Sequence, residues 1–422
     1  MSKALLFFLF MTAAQAQKAP VMHPDPQGAL AVYRQNLALL RQEYTRQREL
    51  PDLPFFLFGM GNRTKLIYQQ GRLVEALTGH IVEQWRVQQA LIVPSEYLVH
   101  LTLMDSTTVQ LREDETGVWM YQPGKAPQLV KGTRSRISLP AFSDKKYGPV
   151  LRVLHHEVLI NVIGGKPVPN FLVYATPWFR DAALMGMVMQ QTSNLHLIRD
   201  WILKIRDPFD RNNHGISEPD NLGQVLYLVS LVSDQKHPAV RMVLDSVQRF
   251  SKPFPAGPAD TVTVRSVSQP SPASLSPQAL YLTGQTDYAE HPVYQTKWLK
   301  FGMQSLGLPD SFSIPKVYDS YSALFWWAYT DQHVPGKEFD EGSGKNYPYL
   351  VWAEDHFNRR TGTPTRRGLV GNLSYPLSWE QQASNARYAG MTILDKSLMK
   401  QKLSFPHTWH AAEMFLFLAD SQ

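Results

Sequence analysis

Residues 174–189 read YATPWFRDAALMGMVM, and this stretch decides how the rest of the chain is read. Thr176 followed by Pro177 is a helix-start signal, a cap residue and then a proline at the first helical position. Beyond Asp181 the residues are small or apolar on every face, the pattern of a helix buried all round. Arg180 and Asp181 nevertheless stand side by side at its beginning. Charges that open a buried helix either pair with other buried groups or face a polar cavity.

Outward from this stretch, helical patterning runs from Gly148 almost to the end of the chain. Helix starts are expected near Val150, Trp178, Asn194, Pro219, Pro238, Pro277, His291, Ser320, Pro348, Ser378 and Thr408, joined by short Gly/Pro/Asn/Asp loops. Short loops suit antiparallel helix pairs, so the expected fold is mainly α, an (α/α)6 barrel or toroid over residues 148–422. The Pro- and Ser-rich stretch 251–276 reads as an excursion at its rim. Over residues 54–147 the period changes to two, with turn residues between short apolar runs, which predicts a small β-sandwich-like N-terminal domain. Residues 17–53 form a leader and a helix, with helical spacing from Ala29 to Leu50.

Residues 1–16 have the form of a signal peptide: Lys3, an apolar run from Ala4 to Met11, then Ala14-Gln15-Ala16. Cleavage after Ala16 is expected, giving a secreted or periplasmic protein with no stable membrane insertion; an uncleaved anchor is the alternative. The chain has no cysteine, which excludes a cysteine nucleophile, Cys-ligated zinc and disulfide support. Its net charge of +6 is spread along the sequence without a Lys/Arg run, so no nucleic-acid partner is expected. His155-His156 lacks a spaced third ligand, and no phosphate-cradling glycine loop is present, so neither metal nor cofactor is expected.

Carboxylates at the starts of apolar helices are the candidates for chemistry. Glu218 lies in GISEPDNLGQ, residues 215–224, ahead of the apolar run Val225–Val232. Glutamate is not a favoured cap. Glu218 therefore complements the helix dipole, or points to solvent while Ser217 caps, or serves a site in which Asp220 raises its pKa. Glu380 falls in a first helical turn after Ser378. Glu413 is the one acid within PHTWHAAEMFLFL, residues 406–418, and is expected to pair, with His410 or Arg180. Glu354 and Asp355 are reserve acids, and Trp178, Trp326, Trp327, Trp352, Trp379 and Trp409 are either core or sugar-stacking surfaces.

Three segments, Trp178–Leu184, Glu218–Gln224 and Thr408–Glu413, resemble the six-hairpin (α/α)6-barrel glycosidase superfamily, in particular its glucoamylase-like group. The resemblance implies an oligosaccharide or polysaccharide substrate and hydrolysis of a glycosidic bond with inversion. It implies that Arg180 and Asp181, with Trp178, hold the sugar next to the cleaved bond. It makes Glu218 the proton donor with Asp220 beside it, and lets Trp409 and Glu413 shape the sugar site. The family's general base lies in the loop before the Thr-Trp segment, but residues 396–405, KSLMKQKLSF, contain no carboxylate. Either Glu380 substitutes, or the chain is a catalytically inactive glycan-binding or envelope protein, or it is a polysaccharide lyase on the same kind of barrel.

Overall fold

A computed structural model describes residues 21–44, 55–172, 174–254, 279–287, 289–315 and 407–420. The first described element is helix α1, Pro26–Tyr44; the rest of the expected span to Leu50 lies outside the described residues. Leu30, Tyr33, Leu37 and Leu40 recur at helical spacing and are buried, so one face of α1 docks on the body of the protein.

Two antiparallel meanders follow. Strands β1 (Phe55–Phe58), β2 (Leu66–Gln69), β3 (Arg72–Glu75) and β4 (Ile81–Gln84) form a four-stranded sheet in sequential order. Strands β5 (Val87–Val93), β6 (Leu98–Leu103), β7 (Thr108–Glu113), β8 (Val118–Tyr121) and β9 (Gln128–Leu129) form a five-stranded one. A buried ion pair joins them: Arg63, in the turn after β1, sits 2.8 Å from Glu113 at the end of β7. Glu113 also accepts from the N–H groups of Gly59 and Met60 at 2.8 and 2.7 Å. Backbone donors and a guanidinium together satisfy a carboxylate that burial alone would penalise. The N-terminal region is thus β-rich.

Helix α2, Gly148–Leu159, leads into the helical half. Its His156 donates from Nε2 to the Leu57 carbonyl, 3.0 Å away, and stacks on Phe56 and Tyr97. Burial holds both His155 and His156 down at a pKa of about 3, so they are neutral packing groups. After the β10–β11 hairpin (Val162–Ile163 with Lys166–Pro167) come α3 (Phe179–Gln191), the short α4 (Arg199–Ile202), α5 (Asp220–Ser230) and α6 (Pro238–Val247). Strand β12 (Ser251–Pro253) pairs with β13 (Leu280–Leu282), and β14 (Gln285–Thr286) with β15 (Ala289–Glu290). Helices α7 (Pro292–Ser305) and α8 (Thr408–Asp420) complete the described residues.

The helices pack in the spatial order α2, α8, α3, α5, α7, with α6 also against α5. Residues 179–189 of α3 are buried throughout, as an apolar-all-round helix must be. The (α/α)6 barrel is not the observed architecture. The described residues hold eight α-helices and five β-sheets, with small hairpins between the helices. The helix expected near Pro277 is instead strand β13, because Leu280–Leu282 finds backbone partners in the distant β12. The helix expected near Asn194 reduces to a 3-10 turn, Leu195–Leu197, followed by α4. The starts expected at Ser320, Pro348 and Ser378 lie outside the described residues.

The tightest helix pair is α5 against α7. A Cβ on Gly223 would land in the Trp298 backbone, and one on Gly302 would strike the Gly223 carbonyl. Two glycines facing each other let the helix backbones touch, and this contact brings Tyr294 of α7 within reach of Gln224 on α5, while Gln295 donates to Thr286 of β14. Gly223→Ala therefore forces the helices apart; it is expected to destabilise by about 1–3 kcal/mol. A lowered midpoint in thermal denaturation is the expected result, and an unchanged midpoint counts against this packing.

Candidate functional site

Helix α3 does not start as its local sequence suggests. Thr176 is exposed, Trp178 occupies the cap position in extended conformation, and no side chain of the segment caps the helix. The cap comes from elsewhere: the Phe179 N–H donates to Asp210 Oδ2 at 2.7 Å. Asp210 is itself fixed: its Oδ1 accepts from the Asn212 N–H, and its own N–H donates to Asn221 Oδ1 on α5. Its pKa is raised, chiefly by burial. This long-range cap sets α3 so that Arg180, its second residue, points at the N-terminus of α5.

Three carboxylates meet the Arg180 guanidinium. Nη2 lies 3.3 Å from Glu218 Oε2, Nε lies 3.2 Å from Asp220 Oδ2, and Nη1 lies 3.2 Å from Asp287 Oδ2. The fork geometry of arginine suits such multiple contacts. Arg180, Glu218 and Asp220 are at most 3% exposed, whereas the Asp287 side chain is 18% exposed. Glu218 therefore points inward, and the solvent-facing alternative does not describe it. Its Oε1 accepts from Asn213 Nδ2 at 3.1 Å and from the Asp287 N–H. Asp220 also accepts from Gln224 Nε2 at 2.9 Å and Thr286 Oγ1 at 2.7 Å.

Burial pushes the Glu218 carboxyl up to about 7; Arg180 opposes the rise and Asp220 adds to it by like-charge repulsion. If all three carboxylates were ionised, the cluster would carry more negative charge than one guanidinium offsets, so a retained proton is the cheaper state. The Tyr294 hydroxyl, 3.2 Å from Gln224, is raised well above its usual range by burial and then by the charge of Asp220.

Asp181 faces another way. Thr408, at the start of α8, donates to its Oδ1 at 2.9 Å, and His407 Nε2 lies 3.9 Å from the same oxygen. Burial lifts Asp181 to about 6 against the pull of Arg180. Trp409 lays its ring 5.3 Å from the Arg180 guanidinium carbon, so that indole face covers the cation. Glu413 is buried on α8, and its charge contributes to the raised Tyr294 hydroxyl, so it borders the same cluster. Trp178 is half-buried and meets Tyr174 edge-on, and Tyr174 meets His407 in the same way.

The fold thus brings together Arg180, Glu218 and Asp220, with Asp181, Trp409 and Glu413 adjoining. Glu380 lies outside the described residues, as do Trp326, Trp327, Trp352, Trp379, Glu354 and Asp355. Sequence reasoning missed Asp287, Asp210, Asn213, Thr286 and His407. The Asx-rich loop Asp210–Asn213 directly before Glu218 was the available signal. Among the described residues, no group of three or more His, Asp or Glu side chains is arranged to hold a metal ion. No helix there is long and apolar enough to cross a membrane.

Comparison with known protein families, with curated proteins and with solved structures finds no match for this chain. The resemblance of Trp178–Leu184, Glu218–Gln224 and Thr408–Glu413 to the six-hairpin glycosidases is overturned by the lack of any matching family and by described residues with five β-sheets and eight helices, not the family's toroid.

The raised Glu218 carboxyl has a thermodynamic consequence. Between its ordinary value of 4.5 and its folded value of about 7, the folded state keeps a proton that the unfolded chain has released. Stability contributed by Glu218 is full below pH 4.5 and is lost as the pH rises toward 7. Melting curves of wild type should fall across that window, and Glu218→Gln should flatten part of the fall. Equal slopes for the two proteins would contradict a raised Glu218.

Proposed function

We propose that the Arg180 cluster is the centre of an exported carbohydrate-active enzyme that hydrolyses a glycosidic bond, with Glu218 as general acid. The observation that carries the reading is Glu218 itself: a buried carboxyl with a pKa of about 7, set against a guanidinium and a second acid. Glycosidic cleavage needs a carboxyl group that is protonated at working pH and still acidic enough to give its proton to the leaving oxygen. Asp220 acts on Glu218 through charge, and its own oxygens are occupied by Arg180, Gln224 and Thr286. The half-buried rings of Tyr174 and Trp178, beside Arg180 and Asp181, offer stacking faces to a sugar. Three acids around one cation create a negative field that suits a neutral glycan and opposes a uronate, which disfavours the lyase alternative. Export rests on the leader at residues 1–16, outside the described residues.

One observation favours a second reading, a glycan-binding protein without catalysis. Both Glu218 oxygens accept hydrogen bonds from the protein itself, from Arg180, Asn213 and the Asp287 N–H, so the carboxyl is already engaged. Incubation of wild type and Glu218→Gln with a panel of neutral glycans separates the two. As general acid, Glu218 predicts sugar release that falls at least about 100-fold in the variant, with binding retained. Binding by both proteins without release by either supports the second reading, and equal release by both refutes the acid assignment.

A further inference from the structure

We propose that Asp287 is the second carboxyl group of this site, the base that activates water while Glu218 protonates the leaving oxygen. The inference rests on the glycosidase reading above. Asp287 and Glu218 are bridged by adjacent nitrogens of one guanidinium, at 3.2 and 3.3 Å. That bridge caps the separation of their carboxyl oxygens at roughly 9.5 Å or less, the upper end of the range of about 6.5–9.5 Å that a water-activating pair of carboxyls spans.

The two groups differ in surroundings as an acid and a base must. The Glu218 side chain is 1% exposed and dry; that of Asp287 is 18% exposed and reached by water. Asp220 does not fit the role of base, because it is fully buried and its oxygens are taken by Thr286, Arg180 and Gln224. Asp287 is also well positioned. It stands in the turn between β14 and β15 with φ of 53°, the left-handed conformation that a tight hairpin turn requires. Gln285 and Asn213 donate to its carbonyl at 2.9 and 3.2 Å, and its own N–H donates to Glu218. Turn chemistry and three hydrogen bonds therefore fix one carboxylate beside the acid.

The step balances. The glycosidic C–O bond breaks, its electron pair stays on the leaving oxygen, and the Glu218 proton passes to that oxygen. A water oxygen bonds to the anomeric carbon and releases its proton to the Asp287 carboxylate. Glu218 ends ionised and Asp287 protonated, and proton exchange with solvent restores both.

The test uses the full chain as wild type, Glu218→Gln, Asp287→Asn and Asp287→Gly, the last suited to the positive φ. Each is assayed on the neutral glycan panel and on aryl glycosides with a good leaving group, with and without sodium azide. Both Asp287 variants should lose about 100-fold or more on both substrate types. Azide should restore their turnover as a glycosyl azide of inverted configuration, a gain that misfolded protein cannot give. Glu218→Gln should recover on the activated substrate alone. Asp287 variants within a few-fold of wild type, or impaired without azide rescue, overturn the base assignment while a defective Glu218→Gln leaves the acid in place. Inactive wild type, or Glu218→Gln equal to wild type, removes the underlying reading and this inference with it.

Discussion

The guanidinium of Arg180 is the point on which the helical half of this protein converges. It gathers carboxylates from the loop before α5, from the first residue of α5 and from the β14–β15 turn. A buried cation of this kind is tolerable only when its donors are matched, and buried acids only when something opposes their charge. Arg180 supplies both conditions at once. The rest of the local structure can be understood as what aims it: Asp210 caps α3, and Gly223 against Gly302 lets α7 approach. Thr286 and Gln295 then carry the hairpin onto Asp220.

One cation facing three acids also makes a proton reservoir. Desolvation raises Glu218 and Asp181, and Arg180 restrains both. The two lie on different sides of the arginine, one held by Asn213 and the Asp287 N–H, the other by Thr408. The same interaction that holds α3, α5 and the hairpin together thereby sets the acidity of the group proposed to act on substrate. Stability and chemistry are coupled through a single side chain, and a change at Arg180 is felt in both.

Local pattern made much of this legible. Alternation and turn residues marked the β-rich N-terminal region, and the apolar run after Asp181 marked a helix buried on all sides. Charges opening that helix implied buried partners, which Arg180 has. What the sequence hid was non-local. The cap of α3 comes from Asp210, thirty-one residues away along the chain, where Thr176 had looked sufficient. Leu280–Leu282 became a strand because β12 offered it a partner. Helix spacing likewise carries no information about closure, and a run of short-looped helices suggests a ring that the described residues do not form. Asp287 escaped notice because a turn aspartate looks ordinary until the hairpin folds it against Arg180.

The most direct test of this account is a carboxyl-carbon NMR titration of the folded protein, with the Glu218 resonance assigned by its absence in Glu218→Gln. The account predicts a midpoint at about 7, set by burial beside Asp220 and against Arg180. A midpoint at the ordinary glutamate value of 4.5 would contradict it.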